Sequence, residues 1–212
     1  MAQNARRSSS TPDTETTASL RTRPRGRPRN PQLDAAILEA AEQQLRERGY
    51  NAMSLESVAA AAGTTVPSLR RRYRDKAALA GAVIDSLRID PLPASSGSPR
   101  AQAAAVLDNF QRNLARPNSM ALLGTLLAEE GRRPELLERF RERLSRPRRR
   151  ALRVALNAGI HTGQLPENLD VDVTVNMLIG SYYARYLSGA SIPANWSRRA
   201  LDQVWPAPGE QS

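Results

Sequence analysis

Between Gly63 and Leu79 the chain reads GTTVPSLRRRYRDKAAL. Hydroxyls at Thr65 and Ser68 are followed closely by Arg70, Arg71, Arg72, Tyr73, Arg74 and Lys76. A guanidinium is a permanently charged, planar fork of donors that fits phosphate oxygens and the acceptor edge of guanine. Short side chains at Val66, Pro67 and Ser68 would let the start of a helix sink into a groove. The hydroxyls and arginines behind them could then reach bases and phosphates. The positive end of the helix dipole adds attraction for phosphate. This is chemistry for holding a polyanion. The competing reading is a solvated basic face beside a small helical core, and the capped helix and basic arm upstream weigh against it.

Bond-breaking chemistry finds little support. The chain has no cysteine, which excludes disulfides, thiolate metal sites and cysteine nucleophiles and fits a reducing cytoplasm. Its one histidine, His161, reads as a surface loop residue. Glu129 and Glu130 are adjacent, so their side chains diverge on a helix. No nucleophile, acid pair or metal-ligand set emerges; no enzyme activity and no cofactor is expected.

Charge points to a polyanionic partner. The formal net charge is +10, and Lys76 is the only lysine beside 30 arginines. Residues 1–30 carry seven arginines, residues 31–90 are neutral, and residues 91–212 supply the rest of the excess. Within the neutral block, five of eight bases lie between Arg70 and Lys76. A GC-rich coding sequence is a competing source of arginine. A nonspecific architectural protein would also be basic, but would not need an apolar C-terminal half of over 100 residues. No apolar run approaches the roughly 18 residues of a membrane span, so no membrane partner is expected.

The elements that must position these groups are helical throughout. Residues 1–30 have almost nothing to bury and read as a disordered basic arm ending in RTRPRGRPR, which can lie extended in a narrow groove. Pro31 suits a first helical position, and Ile37, Leu38, Ala41 and Leu45 recur at helical spacing up to a stop at Gly49. Ser54 caps a second helix, LESVAAAA, closed by Gly63. Thr65 caps a third, expected over 66–73, and Asp75 a fourth with Leu79, Val83 and Leu87 inward. Pro91 to Pro99 reads as a linker. Helices are expected over 101–115, 119–129 and 134–160, the last kinked or split by Pro147, then over 171–189 and 196–205. Gly159 to Asp170 reads as a loop.

A helix, a three-residue turn containing Gly63, and a helix is the sequence form of a helix-turn-helix, whose second helix offers its N-terminal residues to the major groove. Residues 31–88 resemble the DNA-binding domain of the TetR family of bacterial transcriptional regulators. The resemblance rests on Ile37 and Leu38, Gly49-Tyr50 with Ala52 and Ser54, Val58-Ala59 with Ala62-Gly63, Thr65, Leu69, Tyr73, and Lys76 with Leu79. It implies that Ser54 and Lys76 hold phosphates. It also implies that Thr65, Val66, Pro67, Ser68 and Arg70 face the groove, that Arg71 and Arg72 contact bases or backbone, and that Arg25, Arg27 and Arg29 enter the minor groove; Tyr73 is counted with them as a candidate DNA contact. Arg70 stands where the family usually has tyrosine, and Arg72 where it often has tyrosine or histidine.

The remainder is similar to the family's regulatory part in RRPELLERFRERL, GIHTGQL and DVTVNMLIGSYYARYL. The resemblance implies an all-α protein: a three-helix helix-turn-helix DNA-binding domain (31–90) joined to a larger helical ligand-binding and dimerisation domain (91–207), with a disordered tail (208–212). The implied function is a repressor that binds an inverted-repeat operator in double-stranded DNA as a homodimer and is released by a small-molecule effector. Residues 171–189 and 196–205 would pair with their symmetry mates, helped by the small residues Gly180, Ser181 and Ala184. Candidate effector contacts are Phe110, Leu114, Met120, Leu123, Leu127, Phe140, Met177 and Tyr183. The cluster Arg146–Arg150 reads as a solvated face.

Overall fold

The structure, a computed structural model, describes residues 30–205. Arg25, Arg27, Arg29 and the expected arm and tail lie outside the described residues. Among those described, every regular element is a helix.

Helix α1 (Pro31–Ala52) buries Ile37, Ala41 and Leu45, one turn apart, and kinks at Gly49. Helix α2 (Leu55–Ala61) is capped reciprocally: Ser54 Oγ accepts the Ser57 N–H at 3.0 Å, and Ser57 Oγ accepts the Ser54 N–H at 3.2 Å. Helix α3 (Val66–Arg70) opens on Thr65 with proline in its first turn, where a missing N–H costs nothing. Helix α4 (Lys76–Ser86) opens on Asp75, whose Oδ1 accepts the Ala78 N–H at 2.7 Å. Helix α3 is shorter than expected: Arg71, Arg72 and Tyr73 continue as a turn, with the Arg72 and Tyr73 amides both donating to Leu69 O.

Ser98 and Pro99 open α5 (Pro99–Leu114), and left-handed Asn118 precedes α6 (Ser119–Glu129). Helix α7 (Pro134–Phe140) runs through a π-helical turn (Arg141–Ser145) into α8 (Arg146–His161). Pro147 therefore neither splits nor simply kinks the run. Its ring and missing N–H defeat the α register behind it, and the chain shifts to π spacing, with the Arg146 N–H donating to Arg141 O. Helix α8 continues past Gly159; the reversal falls at Gly163, φ 68°. Helices α9 (Val171–Leu187) and α10 (Trp196–Asp202) complete the chain.

Two buried clusters hold these helices. The first joins Ile37, Leu69, Leu79 and Ile84 of α1–α4 to Leu126 of α6 and Leu136 of α7. The second joins Leu107 of α5, Leu156 of α8, Leu178 of α9, and Trp196, Leu201 and Trp205 at the C-terminal end. Helices α6 and α7 thus pack mainly with the four N-terminal helices, though Met120 of α6 also touches the second cluster. Helix α10, expected to face a symmetry mate, turns Trp196 and Leu201 inward, 4% and 1% exposed, and Trp205 just beyond its end is 2% exposed. Trp205 reaches so far because Gly159 has no side chain; a Cβ there would stand 2.5 Å from the indole.

Candidate nucleic-acid interface

Leu69, fully buried, fixes which side of α3 faces the core. Thr65, Pro67, Arg70 and Arg71 are consequently exposed, while Val66 and Ser68 are half-buried. The turn between α2 and α3 is held by Gly63 at φ 62°, a backbone region that side chains disfavour. Thr65 is itself the cap, its hydroxyl accepting the Ser68 N–H at 3.3 Å. Tyr73 is half-buried against the first core, which makes it a support for the α3–α4 turn and not an exposed contact.

The charged residues of the opening stretch divide in two. Arg70, Arg71 and Arg74 project outward. Arg72 does not: its Nε pairs with Asp34 of α1 at 2.5 Å, and its Nη1 donates to Ser68 O and Ser68 Oγ, both at 3.0 Å. It braces α3 on α1 and orients the Ser68 hydroxyl. Lys76 also turns inward. Its Nζ donates to Tyr50 O at 2.9 Å and Asn51 O at 3.3 Å and stands 4.4 Å over the Tyr50 ring. Burial, then the nearby Arg133 charge, lower its pKa. An ammonium has three donors, so one remains for a phosphate. Ser54 is engaged on both counts: its Oγ accepts the Ser57 N–H of the α2 cap, and its hydroxyl donates to Ser57 Oγ at 3.1 Å, a bond it would exchange for one to a phosphate.

The Tyr50 ring receives a second cation, the Arg133 guanidinium at 4.8 Å, from the α6–α7 turn. Arg133 in turn lies 3.9 Å from Glu129, whose side chain is only 4% exposed. The groups around the α4 start are thereby tied to the second half of the chain, a link that spacing alone could not reveal.

Of the eight effector candidates, Phe110, Leu114, Phe140 and Tyr183 line one cavity of about 130 Å³. Leu123 sits instead in the first core and Met120 packs against both cores. Leu127 and Met177 lie outside this cavity, being 53% and 58% exposed. The cluster Arg146–Arg150 also needs correction at its centre: Arg148 is 4% exposed and lines the same cavity. Its position was a signal, four residues after Leu144 and four before Leu152, on the apolar side of α8.

Comparison with known proteins settles what this geometry belongs to. Residues 37–83 match the family described as bacterial regulatory proteins, tetR family. Residues 93–204 match the tetracyclin repressor-like C-terminal domain. The chain belongs to the TetR family of bacterial transcriptional regulators. It is 30% identical over 167 residues to the uncharacterised HTH-type transcriptional regulator YdeS of Bacillus subtilis (strain 168), covering 77% of this chain and 82% of that one. In fold it is similar to MexZ, a key repressor responsible for antibiotic resistance in Pseudomonas aeruginosa (TM-score 0.67, 22% identity, 84% of this chain and 98% of that one). It is also similar to a TetR transcriptional regulator from Agrobacterium tumefaciens (TM-score 0.64, 22% identity, 84% and 96%). As a TetR-family member it is a DNA-binding transcriptional regulator. No described helix is long and apolar enough to cross a membrane.

Proposed function

We propose that this regulator is a cytoplasmic repressor that binds an inverted-repeat operator as a homodimer and lets go when a small molecule enters its C-terminal part. The observation that carries the DNA half is the outward side of α3, where Thr65, Pro67, Arg70 and Arg71 are exposed together while Leu69 anchors the helix from behind. In this reading Thr65, Pro67, Ser68 and Arg70 meet base edges. Arg71, Ser54 and the spare Lys76 donor meet phosphates, and Arg72 supports from within. Arg25, Arg27 and Arg29 reach the adjacent minor groove. The functional division falls between residues 31–90, which read DNA, and 91–207, which sense and dimerise.

A stripe on α9 supports the dimer. Val173, Met177, Ala184 and Leu187 are all exposed, with Gly180 half-buried among them. Steps of four, three, four and three residues put these five on one side of the helix. Small residues mid-stripe let two such helices approach closely. Exposed Val154 of α8 adds to the outward apolar residues.

The test is selection of bound sequences from a random DNA pool with the full chain, followed by competition with scrambled duplex. Convergence on two half-sites one or two duplex turns apart, ~34 Å per turn, is expected. Selection that never converges would reduce the basic side of α3 to a general polyanion patch.

A further inference from the structure

The cavity that holds four of the effector candidates contains a buried charge that forms no direct ion pair among the described residues. Arg148 rises into it from the first turn of α8, nine-tenths buried. Its Nε donates to Asn109 Oδ1 at 3.0 Å, its Nη1 to Leu144 O at 2.8 Å, and its Nη2 reaches Asp90 O only at 3.5 Å. A guanidinium has five N–H donors, so one on each terminal nitrogen is left over. Burial lowers the Arg148 pKa, and Asp90 opposes this only from a distance, since its direct ion pairs are with Arg116 at 2.5 Å and with Arg112 at 3.5 Å. A buried charge without a direct counter-ion is costly to keep.

The rest of the lining says what else an occupant must be. Phe110, Phe140, Leu114 and Ile179 present apolar surface, and Tyr183 adds a ring whose hydroxyl has no hydrogen-bond partner among the described residues. Burial pushes the Tyr183 phenol up to about 12, so at neutral pH it is a donor. The volume is about 130 Å³. An apolar protein cavity of about 150 Å³ accommodates benzene, which sets the scale. The cavity is bounded by the π-helical turn through Leu144 and Ser145, an element often found at functional sites.

We infer that this cavity takes a small apolar monocarboxylate, an aromatic or branched-aliphatic acid, whose carboxylate pairs with Arg148 and whose hydrocarbon part fills the space between Phe110, Phe140 and Ile179. The inference rests on reading the chain as a ligand-responsive regulator and narrows the ligand to one chemical class. Tyr183 donates a second hydrogen bond to the same carboxylate. Arg149, half-buried in the lining, adds positive potential. Occupation would also be felt at the linker. Asn109, which accepts from Arg148, donates to Asp90 O at 3.2 Å and to Pro91 O at 2.7 Å, so an acid that draws the guanidinium inward loosens what holds the start of the linker.

The experiment is a thermal-shift and calorimetric titration of the full chain with benzoate, phenylacetate, cyclohexanecarboxylate and isovalerate, against benzamide and benzyl alcohol as uncharged mimics. At least one acid should raise the melting temperature with a saturable dose response and bind at least tenfold more tightly than either mimic. Arg148→Gln should abolish that difference. Leu144→Trp, which fills the cavity and leaves Arg148 in place, should abolish binding of acid and mimic alike, and it decides the matter should Arg148→Gln fail to fold. Acids that leave the melting temperature unmoved, acids and mimics that bind equally, a folded Arg148→Gln that keeps its benzoate affinity, or a folded Leu144→Trp that still binds benzoate would each overturn the assignment. Specific operator binding by the unliganded protein is measured beside it. Its loss would strike the regulator reading, whereas its presence without acid binding would strike only the ligand class.

Discussion

Arg70→Ala and Arg72→Ala are expected to behave differently although both remove one arginine of the same cluster. Arg70 is exposed, so its loss should weaken the selected operator by ~1–3 kcal/mol and relax preference at particular base pairs, with an unchanged melting temperature. Arg72 holds Asp34 and Ser68, so its loss should lower the melting temperature and weaken all duplexes together. Binding isotherms on selected and scrambled DNA, with melts alongside, separate the two. Asp75 gives a pH prediction. The Ala78 N–H it accepts, helped by Arg74 and working against partial desolvation, holds its carboxyl below the ordinary value of 3.8. A lowered folded-state pKa means that the cap stabilises α4 fully above the ordinary value and loses that contribution as pH falls through the lowered one. Asp75→Asn, which caps without titrating, should therefore flatten the acid limb of a stability-versus-pH curve below about pH 4. An unaltered limb would mean that other carboxylates set it. Residue types and register were legible in the sequence here, because spacing decides which side of a helix a residue takes. The destination of a long cation was not. Nothing in RRRYRDK states that Arg72 and Lys76 fold back onto Asp34 and the Tyr50 carbonyl, since those partners come from α1.

At the scale of elements, the four N-terminal helices were readable from their punctuation. Ser54, Thr65 and Asp75 each cap a helix through a side-chain oxygen that accepts a backbone N–H. The later helices were legible too, the span of α6 and the start of α9 included, but the end of α8 and the inward face of α10 were not, for packing reasons. Gly159, expected at the start of a loop, stays helical, and Trp205 lies against its bare Cα. Gly159→Ala is expected to force that indole away and cost roughly 1–3 kcal/mol, seen as a lower melting temperature and altered tryptophan fluorescence. The reverse outcome, a gain in stability from the better helix former, would mean that Trp205 relaxes at no cost. The same contact explains why α10 offers little apolar surface outward: Trp196 and Leu201 are buried within the chain. A disturbance at Pro147 is legible in the sequence. A π turn was not foreseeable, since splitting, kinking and register shift all satisfy the same missing N–H.

For the whole molecule, the exposed stripe on α9 predicts assembly. Met177→Asp places a charge at its centre without touching either core. Sedimentation at micromolar concentration should move from dimer towards the 23.2 kDa protomer, and affinity for an inverted repeat should fall far more than affinity for an isolated half-site. A variant that stays dimeric would place the interface elsewhere.

Because α6 and α7 pack with the N-terminal helices, the part of the molecule that reads DNA does not end where its motif ends. Residues 31–90 carry the helix-turn-helix, yet Leu79, Val83 and Ile84 share a core with Leu122, Leu126, Leu136 and Phe140. Expressed alone, that segment would offer this apolar surface to water and should melt without cooperativity, as circular dichroism would show. The protein is therefore a poor donor for grafting by cutting at its linker. A chimaera that joined its reading head to another regulator's sensor would inherit a half-lined core unless α6 and α7 travelled with it. By the same logic, substitutions in α6 or α7, far along the chain from any base contact, are a route by which specificity and response could co-evolve.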